Sequence, residues 1–492
     1  MPIALTRTTQ RLTADPRRVL AKPFMLGEEL LTPGPSRAGL LLDRILAIPE
    51  PEVEAIVLDV VARYAGRHRD FEQLIARHCD AAVGSNRALS PARRRLVGAY
   101  FTHEYSIEAA ALFNPSIVFA PDDGGEGATE RRFVMSLRAV GEGHISSIEL
   151  RAGAIDATGL LTFDPVTPYI ASGRRTPPRH YEKRLFAAKL VELSAWNAIA
   201  SAVLGRLPER FTPEALEASL GALDRGQIAH AIWFETAKMI RVLAASNYVV
   251  TFPAERPVCE RVLFPAGPNE THGMEDARFV RFADGDAVTY FATYTAYDGY
   301  QIVPQLIETD DFVTFSIRTL NGEAAQNKGM ALFPRKVGGH FMMLSRKDRE
   351  NLHLSSSDNI HFWNDVEELY RPSRPWELLQ MGNCGSPLET EAGWLVLTHG
   401  VGAMREYAIG ALLLDLEDPL RVLGCLPRPL IAPNQDEREG YVPNVLYSCG
   451  SLIVGDKLVL PYGFSDAGVG VATVSLPDLL AELTGPGARM RP

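Results

Sequence analysis

The feature that most constrains this chain is a phrase it repeats: an aliphatic run, an acidic turn, then a second short apolar run. It reads IELRAGAIDATGLLTF, QLIETDDFVTFSI, LHLSSSDNIHFW, ALLLDLEDPLRVL and ATVSLPDLLAEL. Short apolar runs broken by Asp, Asn, Gly and Pro are the pattern of antiparallel strands joined by turns. With Asp156, Asp310, Asp358, Asp418 and Asp478 as markers, the last three intervals are about 48, 60 and 60 residues. That is near the ~40–50 residues of a four-stranded propeller blade, given long loops. The first interval, about 154 residues, equals one such spacing plus a helical block. Any antiparallel protein repeats strand–turn–strand phrases, so the spacing alone leaves the propeller one all-β candidate among several.

Two stretches break the strand pattern. In SRAGLLLDRILAI, PEVEAIVLDVVARYAG and DFEQLIARHCDAAV, between residues 36 and 104, apolar residues recur every three or four positions, and Ser90-Pro91 offers an N-cap with a first-turn proline. A second block, from HYEKRLFAAKLVELSAWNAIASAVL to IAHAIWFETAKMIRVLAA, carries a matching cap at Thr212-Pro213. The chain therefore divides into an N-terminal helical segment (1–104), a first blade (105–177), a helical insertion (178–245) and the remaining blades (246–492). The apolar helix faces are extensive, so the two helical blocks are expected to pack on one another as one subdomain beside the first blade, with a homo-oligomer contact through them left open.

Composition closes off several functions. Fifty Lys+Arg against 60 Asp+Glu give a formal charge of -10, with no basic excess to neutralise a nucleic-acid backbone. The start, MPIALTRTTQRLTADPRR, lacks the apolar core of a secretory signal, and apolar stretches such as 198–204 and 408–414 fall short of the ~20 residues of a membrane span. A soluble, cytoplasmic protein with no membrane or nucleic-acid partner is the expectation. Five scattered cysteines, Cys79, Cys259, Cys384, Cys425 and Cys449, suggest neither a disulfide framework nor a zinc site. No metal and no cofactor are expected.

Polar residues at strand ends among apolar neighbours are the candidates for a channel-mouth site. Asn114 precedes a proline and a strand, Arg138 ends one strand, and His144 and Ser146 open the next. Glu275, Asp276 and Arg278 follow a glycine, Asn327 and Lys328 precede an apolar run, and Arg346 and His399 end apolar strands. Arg405, Tyr407, Glu439, Asn444, Tyr462 and Asp466 complete the set. Singly, each has an ordinary explanation as a turn residue, a surface ion pair or a solvated cation. Jointly, most blades contribute one such residue at an equivalent strand end.

NPSIV with SLRAVGEGHIS, GMEDARFV, NKGMALFPRK followed by MMLSR, CGSPLETEAGWLVLTHGV, EYAIGALLLDLEDP, REGYVPNVLYSCG and LPYGFSDAGVGVA resemble, in order, the motif set of glycoside hydrolase family 130. These are the β-mannoside phosphorylases and β-mannosidases, built on a five-bladed propeller. The resemblance covers about 105–165 and 247–482 and leaves the helical segments without an inherited role. It implies that Asp276 is the catalytic acid, passing its proton to the glycosidic oxygen through a sugar hydroxyl. It further implies that Asn114, Arg138 and Asp466 hold the mannosyl unit, with Ser146, Arg278, Lys328, Tyr407 and Asn444 among the sugar-binding residues. Arg346 and His399 match phosphate-binding positions.

Inverting cleavage by water needs two carboxyl groups, whereas phosphorolysis needs only the acid, because inorganic phosphate is an anionic nucleophile held in line by cations. Phosphate as co-substrate, cleavage of a mannose-containing oligosaccharide with inversion and release of α-mannose 1-phosphate are what the resemblance implies first. Two departures keep an inverting β-mannosidase open: TAYDGYQIVPQLIET has no arginine after TAYDG, and LLQMGNCGSP has no lysine. A hydrolase would recruit Glu389, Glu406 or Glu439 as base. A catalytically silent carbohydrate-binding propeller is the third reading, against which stands the intact motif around Asp276.

Overall fold

In the computed structural model, which describes residues 3–24, 36–84, 87–125, 127–223 and 230–488, antiparallel sheets follow one another along the chain. Strands Ala111–Phe119, Glu130–Val140 and Ser146–Asp156 form a first set. Gly273–Asp284, Ala287–Tyr297, Ile302–Thr309 and Thr314–Thr319 form a second, and a parallel bridge between Gly273 and Ser146 merges the two into one 11-stranded sheet. A four-stranded sheet from Ala331–Leu332 to Asp365–Tyr370 and a five-stranded one from Gln380–Asn383 to Val422–Cys425 come next. The last sheet, built on Leu446–Tyr447, Lys457–Phe464 and Gly468–Ser475, takes its outer strand from the start of the chain: Leu5–Thr13 pairs antiparallel with Gly468–Ser475. The protein is mainly β.

Three of the five repeated phrases are strand–turn–strand units, and in LHLSSSDNIHFW the second run belongs to the turn, with the next strand starting at Asp365. At Asp156 the carboxylate oxygen Oδ1 accepts the backbone N–H groups of Thr158 and Leu160, at 2.8 and 3.0 Å, closing the turn before Leu161–Phe163. The fifth phrase differs. After Gly468–Ser475 the chain enters a helix, Leu476–Thr484, because Ser475 caps it through the Asp478 N–H and Pro477 and Asp478 occupy its first turn.

The N-terminal segment is likewise not helical from its beginning. Leu5–Thr13 and Val19–Pro23 are strands, the first half-buried in alternation and rich in threonine, which favours the pleated conformation. Helices occupy Arg37–Leu46, Glu50–Tyr64, Phe71–Val83 and Pro91–Tyr100, with Ser90 accepting the Arg93 N–H at 3.1 Å. The insertion supplies Lys183–Glu192, Ala198–Gly205, Pro213–Gly221 and His230–Ala245. The two blocks do not share a core. Ile45, Val53, Val57, Cys79, Leu96, Val97 and Phe101 close the first, whereas Phe186, Leu190, Val203, Leu216, Trp233 and Ile240 belong to the second. Each is satisfied by its own helices and a neighbouring stretch of β structure, so the expectation of one joint helical subdomain is replaced by two separate ones.

A buried ionic quartet fastens the N-terminal arm to the first strand set. Arg18 reaches Glu108 and Glu149 at 2.7 and 2.8 Å, and Arg151 reaches the same two carboxylates, each at 2.8 Å. All four side chains are buried. Removing one member would strand a charge, at a cost of about 3–5 kcal/mol. All five cysteines are buried and unpaired, and among the described residues no helix is long and apolar enough to cross a membrane.

Candidate functional site

A cavity of about 340 Å3 collects side chains from every strand set: Asn114 and Arg138 from the first, Asp276 from the second, Lys328 and Arg346 from the third, Gln380, His399 and Tyr407 from the fourth, Tyr447 and Asp466 from the last. None of its lining residues comes from 1–104 or from 178–245.

Local backbone geometry turns these residues inward. The pairing register slips between Phe113 and Ser116 and again between Glu275 and Arg278, placing bulges at Asn114 and at Asp276. Six of the thirteen non-glycine residues with positive φ among those described line this one cavity: Asn114, Asp276, Asn327, Arg349, Arg405 and Asp466. Asn and Asp tolerate that region best, which is why they recur here. At roughly 1–3 kcal/mol each, such strain persists only where surroundings enforce it, and it concentrates at functional sites.

The buried Asp276 carboxylate accepts the Asn114 amide at 2.7 Å and the Arg138 guanidinium at 3.2 Å, both through Oδ1. Burial pushes its pKa up, but Arg138, then Arg278 and Lys328, and the Asn114 bond outweigh this and hold it well below the usual carboxylate range. Arg138 is itself fixed by Ser146 Oγ at 2.9 Å and Glu275 at 2.6 Å. Behind Asp276, Arg278 donates to the Asp276 carbonyl at 2.8 Å, the Cys384 carbonyl at 2.9 Å and the Tyr447 hydroxyl at 2.7 Å. Asp466 responds oppositely. Burial raises it to about 6, against a lowering by Arg138, so the cavity holds one carboxyl pushed down and one pushed up.

The other wall is cationic. Arg346 is buried, its Nε has no hydrogen-bond partner, and its Nη1 lies 3.4 Å from His399 Nε2. His399 Nδ1 sits 3.2 Å from the Asn383 carbonyl, which assigns the ring proton to Nδ1 and leaves Nε2 as an acceptor. Burial, then the charges of Arg346 and Arg278, holds this imidazole well below 6.5, so it is neutral and orients Arg346 rather than adding charge. The close approach depends on Gly382: a Cβ there would stand 2.3 Å from Arg346 Cδ and 2.7 Å from His399 Cε1. Lys328, Arg349 and Arg405 complete the wall, and Gln380 donates to the Tyr407 hydroxyl at 3.2 Å.

Of the residues singled out in the sequence, Asp276, Asn114, Arg138, Asn327, Lys328, Arg346, His399, Arg405, Tyr407 and Asp466 meet in the cavity. Ser146 and Arg278 stand behind it as supports, and Asn444 contributes through its backbone, its carbonyl accepting the Tyr407 N–H at 2.9 Å. Tyr462 is buried against Glu437 instead, at 2.6 Å. Sequence reasoning missed Arg349, Gln380 and Tyr447. Gln380 lies in the stretch where a lysine was sought, and Arg349 is in the same charged turn as Arg346.

The three glutamates considered as bases line no part of the cavity: Glu389 pairs with Arg335, Glu406 with Arg438, and Glu439 is exposed. One cluster of metal-ligating type occurs among the described residues, Asp348, His353 and Glu368, with ligand atoms within 4.8 Å of one another. Its members are otherwise engaged. Asp348 Oδ1 accepts the Glu350 and Asn351 N–H groups, Glu368 pairs with Arg371, and His353 Nδ1 faces the Asn351 carbonyl.

The sequence profile of the family described as beta-1,4-mannooligosaccharide phosphorylase matches residues 243–484. The match begins after Asn114, Arg138 and Ser146, which lie outside it. A 1,2-beta-oligomannan phosphorylase from Thermoanaerobacter sp. is 32% identical over 226 residues, which are 44% of this chain and 74% of that protein. A beta-1,2-mannobiose phosphorylase from Listeria innocua is 30% identical over 45% of this chain and 63% of its own length. The solved structure of a beta-1,2-mannobiose phosphorylase from Listeria innocua, in complex with beta-1,2-mannobiose, covers 77% of this chain and 93% of its own, with 21% identity and a TM-score of 0.47. The chain of 492 residues, with Asp276 and its cationic wall inside the matched segment, belongs to glycoside hydrolase family 130.

Proposed function

We propose that this protein is an inverting β-mannoside phosphorylase, using inorganic phosphate to release α-mannose 1-phosphate from a mannose-containing oligosaccharide, on a five-bladed propeller. Supporting the architecture, five successive strand sets each send residues into a single cavity, and the first strand of the chain closes the last set.

The observation that carries the function is the charge of that cavity. Five cations, Arg138, Lys328, Arg346, Arg349 and Arg405, face two carboxyl groups, Asp276 and Asp466, and no glutamate lines it. A phosphate dianion is the nucleophile such a wall suits; water activation would need a second carboxyl as base, and in this reading the one available in the cavity, Asp466, is engaged with the sugar while the three candidate glutamates lie outside it. Asn114, Arg138 and Asp466 hold the mannosyl unit, Arg346 oriented by His399 holds phosphate, and Asp276 is the acid. The ionised state of Asp276 in the free site fits this division. A phosphate dianion entering beside Lys328 and Arg346 offsets the positive field that depresses Asp276, so that its carboxyl gains proton affinity once the nucleophile is bound.

Turnover of β-mannosides with and without phosphate, following α-mannose 1-phosphate and free mannose separately, is the test. Sugar phosphate appearing only when phosphate is supplied is the expected result; free mannose at an unchanged rate in phosphate-free buffer would identify water as the nucleophile. The relatives' support for phosphorolysis lies in their names, each a phosphorylase of mannosides.

A further inference from the structure

We propose that Arg349 is a second phosphate ligand, delivered with Arg346 by a single turn and supplying charge where the chain lacks the two cations sought after TAYDG and in LLQMGNCGSP. The inference rests on the phosphorylase reading above.

The turn is built for delivery. Arg349 N–H donates to the Arg346 carbonyl at 3.1 Å, so the two guanidinium-bearing residues bracket one tight turn, and both line the cavity. Asp348, between them, points away from the cavity lining and accepts the N–H groups of Glu350 and Asn351 at 2.9 and 2.8 Å. The Glu350 carbonyl then accepts the Met381 N–H at 3.0 Å, tying the turn to the strand that carries Gln380. Arg349 adopts φ +74, where a long side chain is disfavoured, and Asn327 at φ +62 holds it there. Asn327 Oδ1 accepts Arg349 Nε at 3.1 Å, while its Nδ2 donates to the Lys347 carbonyl.

That bond uses Nε only. The Nη groups make no hydrogen bond among the described residues, and the residue is exposed at the cavity mouth, anchored to Asn327, the chain neighbour of Lys328, which lines the same cavity. Where the sequence lacks the two cations, the structure places Tyr300, an exposed phenol, and Gln380, whose amide is spent on Tyr407. Neither supplies charge. Arg349 is the arginine of this region that is anchored at one nitrogen and open at two, the arrangement a forked contact to phosphate oxygens requires.

The experiment compares wild type, Arg349→Ala, Arg349→Lys and Asn327→Ala in phosphorolysis with phosphate varied at saturating mannoside, then mannoside varied at saturating phosphate. Losing one charge-assisted contact is expected to raise the KM for phosphate about tenfold or more in Arg349→Ala, with kcat and the mannoside KM within about twofold. Lysine should restore part of the loss, and Asn327→Ala should shift the phosphate KM less, in the same direction. An unchanged phosphate KM in Arg349→Ala, or a mannoside KM that rises instead, overturns the assignment; the latter would place Arg349 on the sugar. Calorimetric titration of inorganic phosphate into the free wild type and Arg349→Ala separates this from the parent reading. If wild type releases mannose without phosphate, the phosphorylase reading fails, while equal or unequal phosphate affinity of the two proteins still decides whether Arg349 binds the anion.

Discussion

The two walls of the cavity are made differently. On one, Asn114, Arg138 and Asp276 are joined to each other and to Ser146, Glu275 and Arg278 by hydrogen bonds of 2.6–3.2 Å. On the other, Arg346 Nε has no partner, Lys328 and Arg405 make no side-chain hydrogen bond among the described residues, and Arg349 is held at one nitrogen. The first wall is held in place before any ligand arrives, with Asn114 Oδ1 left open as an acceptor, so its geometry costs little at the moment of reaction. The second is charge waiting for a counter-charge. A neutral sugar needs the former, an inorganic anion the latter.

The sharpest way to break this contrast is Asp276→Asn. General acid catalysis is worth about 10²–10⁴-fold, so kcat is expected to fall by that range while calorimetry shows mannoside binding largely retained. Near-normal turnover on a natural disaccharide would move the acid elsewhere, with Asp466 the next carboxyl in the cavity. Arg346→Ala comes second. It removes a buried, partly unpartnered cation and frees His399, so the phosphate KM is expected to rise by about 10–100-fold with the mannoside KM little changed. Equal effects on both constants would show that the walls are not separate.

Gly382→Ala probes the same wall without touching a charge. The added Cβ would fall within 2.3 Å of Arg346 Cδ, so the guanidinium must shift, and the phosphate KM is expected to rise severalfold with the bonded wall intact. Identical kinetics would mean that Arg346 relaxes freely. The last probe is read in stability rather than in kinetics, at Asp466. Its folded value, about 6, lies above the ordinary 3.8, so the fold favours the neutral form. That contribution is full below about pH 4 and lost as pH rises through about 6. Asp466→Asn should therefore match wild type in denaturant titrations near pH 4 and exceed it by about 2–3 kcal/mol near pH 8. A gap independent of pH would assign the difference to packing.

Much of this was legible in the sequence, for identifiable reasons. Apolar runs punctuated by Asp turns gave away the strands, and Ser90-Pro91 and Thr212-Pro213 marked true helix starts. Leu5–Thr13 escaped because LTRTTQRLT alternates polar with polar, and the last acidic phrase misled because SLPD is as good a helix cap as a turn. Within the site, Asn114, Asp276 and Asp466 stood out as carboxyl or amide groups among apolar neighbours. Depth did not. Whether Arg278 faces the cavity or braces Asp276 from behind is decided by one bulge, since a single inserted residue reverses which face a strand side chain takes. Arg349, in a charged hydrophilic turn, carried no such signal; only the pairing of that turn with Asn327 turns it inward.

The pairing of Leu5–Thr13 with Gly468–Ser475 sets a timetable for the chain's birth. Thr8 meets the Val471 carbonyl across 463 residues of sequence. At about 5–20 residues per second, the opening strand waits on the order of half a minute to a minute and a half on the ribosome before its partner exists. Through that strand Arg7 and Arg11 grip Glu437, at 3.2 and 3.6 Å, at the root of the segment carrying Val442, Val445 and Tyr447 into the cavity. A nascent chain therefore carries its opening strand without this partner until the final hairpin is released, and the cavity lacks Tyr447 and Asp466 until nearly the whole chain is made.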